Sequence, residues 1–403
     1  MKISENCQTV KLYDFDAYAS SFEARVIACE AEDGLYSVKL DKTLFFPEEG
    51  GQSCDKGTID GKPVKKVLVQ ADNIAHYVDE PLQLGSLVKG EIDFKFRYRN
   101  MQNHSGEHIV SGLIHKLYRI NNVGFHLGSE DVTMDYDAEL TQDMLDEIED
   151  EANRAVYANV DIIAKYYDMQ ELKNLDYRSK LDFKDAKDVR IVTVSGYDIC
   201  ACCAPHVRRT GEIGIIKFVD AYRYKGGTRV HMHCGYDALL DYRKKHYVVT
   251  ELSALFSAKT DGILTAAERL SEENRRLTAE ITSATKRLCE KIAQGLHESS
   301  DGICVFEDSI SSGGMRIIAN AGASKALFCA VFCKKREGVC GYSGYNYIIT
   351  SEKISAKCVL ETLKDNFGSN IKGGGTDTMV QGSIAADAKS EDIERILKHI
   401  KII

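Results

Sequence analysis

The chain has no apolar run approaching the 20 or so residues needed to cross a bilayer, which argues against a membrane-spanning protein. Its first stretch, MKISENCQTVKLYDFDAY, has neither an apolar core nor a cleavage-like end, so no signal peptide is expected. No disulfide framework is legible either. The 13 cysteines are odd in number and widely scattered, which fits a reducing cytoplasm. There is no excess of positive charge: 52 Lys and Arg stand against 61 Asp and Glu, a net of −9, so the surface as a whole does not attract nucleic acid. No strong internal repeat or low-complexity tract is visible.

What is there is a soluble composition, 44% hydrophobic and 28% charged, over 403 residues, enough for about two to four domains. Residues 1–94 read as short strands such as FEARVIACEA, LYSVKLDKTLFF, VKKVLVQA, NIAHYVD and SLVKGEID between Gly, Asp and Asn turns, and predict a small N-terminal β-barrel. From Tyr98 the apolar period becomes helical: Ile109, Leu113 and Leu117 continue the spacing of His104 and His108, so a helix is predicted over 98–119. A second is expected over Thr141–Ala158, and strands return at VRIVTV, GIIKFVDAYRY and TRVHMHCG. Residues 95–236 therefore read as an α+β domain. Residues 237–297 lack proline and carry Ile263, Leu270, Leu277, Ile281, Leu288 and Ile292 at steps of seven and four, which predicts a helical hairpin, a short coiled coil or one long amphipathic helix over 237–300. Residues 301–403 read as a C-terminal α/β domain with strands at RIIAN, KALFCAVFCK and YNYIITS, a helix over Ser355–Asn366, the Gly-rich IKGGGTDTMVQGS and a final helix SEDIERILKHI. The fold class is α+β.

Two ligand pairs stand out. His104 and His108 share a helix face. Cys202 and His206, with Pro205 between them, suit a tight loop. Together the four give three nitrogens and one thiolate, a set for tetrahedral zinc rather than for oxygen-seeking magnesium or calcium. Spacing alone leaves Cys200 and Cys203 as alternative thiols. Four protein ligands are usual for structural zinc, whereas catalytic zinc keeps a position for water. Around the second pair, 205–233 carries Arg208, Arg209, Lys217, Arg223, Lys225 and Arg229 against Glu212 and Asp220, a local charge of +4 compatible with RNA.

HSGEH, GFHLGSEDVTMD, CCAPHVRRTGEIG and YKGGTRVHMHCG resemble the editing domain of alanyl-tRNA synthetase and its free-standing AlaX relatives. DKTLFFPEEGGQSCDKG is similar to the barrel segment of that family, and GGGTDTMVQGS to its C-terminal DHH-associated domain. The resemblance spans nearly the whole chain and points to the long form of AlaX. The chain departs from the family at Cys203-Ala204-Pro205, where the motif usually reads C-G-G-T-H, and at Glu107, where a neutral residue is frequent. It begins at the barrel, without the aminoacylation and helical domains of a synthetase, so neither alanine activation nor ATP use is expected.

The resemblance implies a zinc-dependent trans-editing hydrolase of protein biosynthesis that deacylates Ser-tRNA(Ala), with Gly-tRNA(Ala) left open. It sets DKTLFFPEEGGQ opposite HSGEH. Thr43 then reads serine through its hydroxyl, and Gln52 positions water or the terminal adenosine. Glu107 is either a general base or a solvated helix residue, with the second preferred. Gly50 and Gly51 read as turn formers, His126 as a core histidine, and His231 and His233 as a strand pair on one face without a metal. Arg208, Arg209, Lys225 and Arg229 are candidate phosphate contacts, and Gly373, Gly374 and Gly375 a candidate backbone approach for tRNA. A homodimer through the C-terminal domain or the helical linker is left open. Two other readings stand beside this one: a non-catalytic tRNA-binding protein with a structural zinc, and a hydrolase of free aminoacyl esters or peptidyl compounds.

Overall fold

The computed structural model describes residues 8–71, 73–128, 132–179, 188–337, 341–385 and 389–400. Residues 1–7 of the expected first domain, 129–131 within GFHLGSEDVTMD and 401–403 of the last domain lie outside these. The described residues form a mixed α+β fold with several sheets and eight α-helices, and the chain divides into two compact units, Met1–Thr250 and Glu251–Ile403.

In the first unit, strands Ser21–Glu32, Leu35–Leu40, Asn73–Val78, Lys62–Gln70, Gly57–Ile59 and Leu87–Ile92 pair in that order, and the last returns to the first. Period-two patterning drives the closure. Phe22, Ala24 and Val26 are buried between exposed neighbours on the first strand, and they meet Val38, Leu40, Ile59, Val67 and Ile74 inside. Leu44, Phe45 and Phe46 join the same core.

Helix α1 (Phe94–Tyr118) follows directly, its first turn capped by Asp93, whose carboxylate accepts from Phe96 N at 3.1 Å. Arg97 in that turn is fully buried. It pairs with the equally buried Asp55 and donates to the carbonyls of Leu44 (2.6 Å) and Ala17 (3.2 Å), while Asp55 also accepts from Phe46 N. One ionic cluster thus ties α1 to the 44–55 segment of the strand ring. Helix α2 (Gln142–Ala158) shares a core with α1 and with the antiparallel sheet Ile216–Tyr224, Gly227–Cys234, Val132–Tyr136, Asn122–Leu127. A smaller sheet, Ile162–Asp168, Asp188–Val194 and Asp198–Ala201, carries the short α3 (Met169–Leu172) and leads into the cysteine loop. Helix α4 (Tyr236–Phe256) ends beyond the unit boundary.

The second unit takes in the last residues of α4 and then the long α5 (Ile263–Gln294). Between α4 and α5 Ser257 takes a left-handed conformation (φ 49°) and Thr260–Gly262 forms a 3-10 turn, so of the forms expected over 237–300 the single long helix is excluded. A five-stranded sheet follows, ordered Ile303–Glu307, Cys329–Glu337, Gly341–Thr350, Met379–Ile384, Ile371–Gly375, with α6 (Ser312–Ala323), α7 (Ala356–Phe367) and α8 (Ser390–Leu397). RIIAN, expected as a strand, lies inside α6. Ser311 caps that helix by accepting from Gly314 N. Met315, Ile318, Ala319, Gly322 and Ala323 bury one helical face, a period masked by the flanking glycines.

Candidate metal centre

The four predicted ligands converge. Ligand atoms of His104, His108, Cys202 and His206 all lie within 4.8 Å of one another. The three histidines are buried and Cys202 half-buried. Cys202 Sγ stands 3.5 Å from His104 Nε2 and 3.3 Å from His206 Nε2. Tetrahedral bonds of about 2.0–2.1 Å to nitrogen and 2.3 Å to sulfur put such atoms roughly 3.5 Å apart, so the donors are spaced for one ion between them.

The outer nitrogens are committed elsewhere, which is the arrangement that fixes metal-binding tautomers. His108 Nδ1 is 2.9 Å from Asp198 Oδ2, His104 Nδ1 is 2.7 Å from Gln52 Oε1, and His206 Nδ1 is 3.0 Å from Ser105 Oγ. A carboxylate and an amide oxygen can only accept, so His104 and His108 carry their protons on Nδ1 and offer Nε2 lone pairs. Asp198 is held in turn by Arg178 through two hydrogen bonds of 2.7 and 2.8 Å. Desolvation pushes the Cys202 thiol well above its ordinary range. Desolvation, then the His108 and His104 rings, pushes the His206 imidazole well below its own. Imidazole nitrogens gathered around a buried thiol are the donor set of a borderline-soft divalent metal such as zinc.

Gln52 enters this centre from the strand ring. It closes a four-residue turn with Glu49, and Gly50 and Gly51 supply positive φ angles of 62° and 82° there. A side chain on Gly51 would strike the Phe125 carbonyl at 2.2 Å, so the turn packs against strand Asn122–Leu127. Gln52 is fully buried, and its Nε2 has no hydrogen-bond partner among the described residues. Thr43 is also fully buried. Its Oγ1 meets His76 Nε2 at 2.8 Å and accepts from Phe45 N at 3.0 Å.

Glu107 differs from the preferred reading. It is 4% exposed rather than solvated, and its Oε1 accepts from Ser111 Oγ (2.7 Å) and Asn122 Nδ2 (2.6 Å). His126, expected in the core, is exposed on the outer sheet face. His231 and His233 share the outward face of strand Gly227–Cys234, whose Val230, Met232 and Cys234 point inward. A cavity of about 770 Å³ opens beyond Asp198, walled in part by Arg178, Tyr177, Lys116, Arg119 and Asn122; Thr43 is not in its lining.

The basic stretch is largely neutralised from elsewhere in the chain. Arg208 pairs with Asp16 and lies over the Tyr18 ring, and Arg209 pairs with Asp161. Arg229 is bonded twice to Asp135. Lys225 sits over Tyr224, and no carboxylate pairs with it among the described residues. In the second unit, Gly373 and Gly375 are demanded by their own sheet: a side chain would meet Tyr347 Oη at 2.1 Å or the Met379 carbonyl at 2.2 Å. Gly374 faces open space.

Residues 189–231 match the tRNA_SAD family, the threonyl and alanyl tRNA synthetase second additional domain. The alanyl-tRNA editing protein AlaX-L of Pyrococcus horikoshii is 26% identical over 97% of this chain and 99% of its own length. Aarsd1 of Danio rerio, also named an alanyl-tRNA editing protein, is 26% identical over 95% of this chain and 96% of its own. The alanine–tRNA ligase of Methanobrevibacter smithii is 30% identical over 66% of this chain, which spans only 31% of that enzyme. With its four convergent ligands and matches running end to end, the chain is similar over nearly its whole length to the AlaX-type alanyl-tRNA editing proteins, in their long form.

Proposed function

We propose that this protein is a trans-editing deacylase that removes serine, with glycine left open, from mischarged tRNA for alanine at a zinc centre built by His104, His108, Cys202 and His206. The observation that carries the reading is Gln52. Its carbonyl oxygen meets one of the proposed metal ligands, while its buried amide N–H groups have no acceptor among the described residues. An unsatisfied buried donor costs about 1–3 kcal/mol, and a substrate oxygen or the attacking water would relieve it. An aminoacyl ester needs orientation and a donor for its developing oxyanion more than it needs activation. Zinc, when bound, adds Lewis acidity towards water or carbonyl.

In this reading Thr43 selects the serine hydroxyl and Glu107 holds Asn122 and Ser111 behind the ligand helix. The polar contacts of Arg208, Arg209 and Arg229 are exposed or half-exposed ion pairs, worth little each, so RNA phosphates can replace the carboxylates at small cost. Lys225 is the readiest cation. Residues 237–300 would act as a helical linker and 301–403, with Gly374 as the open position of its glycine run, as a tRNA-binding domain. Leu270, Leu277, Ile281 and Leu288 are 44–65% exposed along α5, which suits a homodimer through that helix. No described helix is long and apolar enough to cross a membrane, and the described cysteines are free thiols, in keeping with a cytoplasmic protein.

One observation favours the alternative of a structural zinc in a non-catalytic tRNA-binding protein: four side chains already fill a tetrahedral shell. Deacylation of Ser-tRNA(Ala) and Ala-tRNA(Ala), with Cys202→Ala and Gln52→Ala alongside, separates the two. The editing reading expects rapid loss of serine, spared alanine and a slowing of about 10²–10³-fold for Gln52→Ala. Tight tRNA binding without hydrolysis would favour the alternative.

A further inference from the structure

Arg190 holds both backbone polar groups of Cys202. Its carbonyl accepts from Cys202 N at 3.0 Å, and its Nη1 donates to Cys202 O at 2.9 Å. The same Nη1 donates to Ala204 O, also at 2.9 Å. The guanidinium is itself anchored: Nε lies 3.3 Å from Asp14 Oδ1, with the two side chains 8% and 10% exposed. Tyr166, the cross-strand partner of Arg190, donates to the other Asp14 oxygen at 2.9 Å.

We propose that Arg190 is the positioning residue that presents the Cys202 thiolate to the metal, a role resting on the ligand set given above. Three facts converge on it. Cys202 and His206 come from one loop, whereas His104 and His108 come from a helix, so the loop donors are the ones whose places must be imposed, and it is the backbone of Cys202 that Arg190 binds. The loop Cys202-Cys203-Ala204-Pro205-His206 contains no glycine, so its path is set by what its carbonyls bind. Those of Cys202 and Ala204 both bind Nη1 of one planar, always-charged group whose Nε faces Asp14, a spread of fixed donors that a Lys ammonium cannot match. Asp14 and Tyr166 in turn keep that group from swinging into solvent. The clamp therefore sets how well sulfur completes the shell left by three imidazoles.

The test uses the full chain with Arg190→Gln, Arg190→Lys and, for contrast, Asp198→Asn. Zinc affinity is read by competition with a chromophoric chelator. The Cys–metal bond is read from the thiolate-to-cobalt charge-transfer band of the cobalt-loaded protein, and folding from apo-protein melting. Outer-shell partners typically control 10–100-fold in metal affinity. Arg190→Gln should lose that much and weaken or shift the charge-transfer band, with Arg190→Lys in between. Asp198→Asn, acting through an imidazole, should lose affinity with the band retained. Wild-type affinity and band in Arg190→Gln would overturn the role, as would a lower apo melting temperature with affinity and band unchanged. If Cys202→Ser keeps the band, the cysteine is not a ligand, and the underlying ligand set fails first.

Discussion

His76 determines which way the Thr43 hydroxyl points its proton. His76 Nδ1 lies 3.1 Å from the Val38 carbonyl, which can only accept, so that nitrogen carries the hydrogen. Nε2 is then an acceptor, and Thr43 donates to it across 2.8 Å. Since Phe45 N takes one lone pair of Thr43 Oγ1, a single acceptor position remains. A substrate hydroxyl could donate to that position; a methyl group could not. Thr43→Val should therefore reduce serine hydrolysis relative to alanine by about 10–100-fold, the worth of one buried hydrogen bond of 1–3 kcal/mol. Side-by-side deacylation rates check this. Unchanged selectivity would remove Thr43 from the specificity reading.

The same histidine makes stability pH-dependent. Burial lowers the His76 pKa from 6.5 to about 4, with the bond to Val38 opposing. Between these values the unfolded chain binds a proton that the folded one does not, so stability is lost as pH falls from 6.5 towards 4. The loss amounts to roughly 3 kcal/mol for this group. His206 shifts in the same direction. His76→Gln, which keeps an acceptor for Thr43, should flatten the melting temperature over that window by one proton's share; an unaltered slope would exclude His76 as the source.

Chelation should destabilise the loaded protein by the linkage of binding to folding, and the melting temperature should rise with zinc concentration. His108→Ala should abolish that dependence. Asp198→Asn should shift it to about 10–100-fold higher zinc. Calorimetric titration and thermal scans on the same samples check both.

Breaking the Arg97–Asp55 pair from one side leaves a fully buried charge. Asp55→Ala should cost about 3–5 kcal/mol, well above a typical substitution. It should also loosen the 44–55 segment that carries Gln52. Denaturant unfolding measures the first effect, and hydrogen exchange at 44–55 the second.

If α5 mediates a dimer, Leu277→Glu with Ile281→Glu should give monomers in analytical ultracentrifugation while the first unit keeps its deacylase activity. A wild-type chain that is monomeric at micromolar concentration would remove the proposal.

Much of this was legible in the sequence because it repeats at fixed periods. His104 and His108 lie one helical turn apart, and the strands around Phe22 and Val230 alternate cleanly. What escaped was long-range. Nothing near Asp198, Ser105 or Arg190 in the sequence announces that each supports a ligand, since their partners lie 90, 101 and 12 positions away. Glu107 was misjudged because one charge on a helix says nothing of burial, and Asn122 and Ser111 make that burial tolerable. RIIAN was misread because a five-residue apolar run fits either period. The basic stretch 205–233 looked free only because Asp16, Asp135 and Asp161 are remote in sequence.

His104 and Cys202 meet across 98 residues of chain. The chain between them contains α2, two of the four strands of the larger sheet (Asn122–Leu127 and Val132–Tyr136) and the whole smaller sheet. Bringing the two donors together closes a loop of that length, an entropic cost that folding of the intervening elements removes. Tight uptake of an ion would then report that α1, α2 and the smaller sheet are in place, a readout of the packing of this part of the first unit.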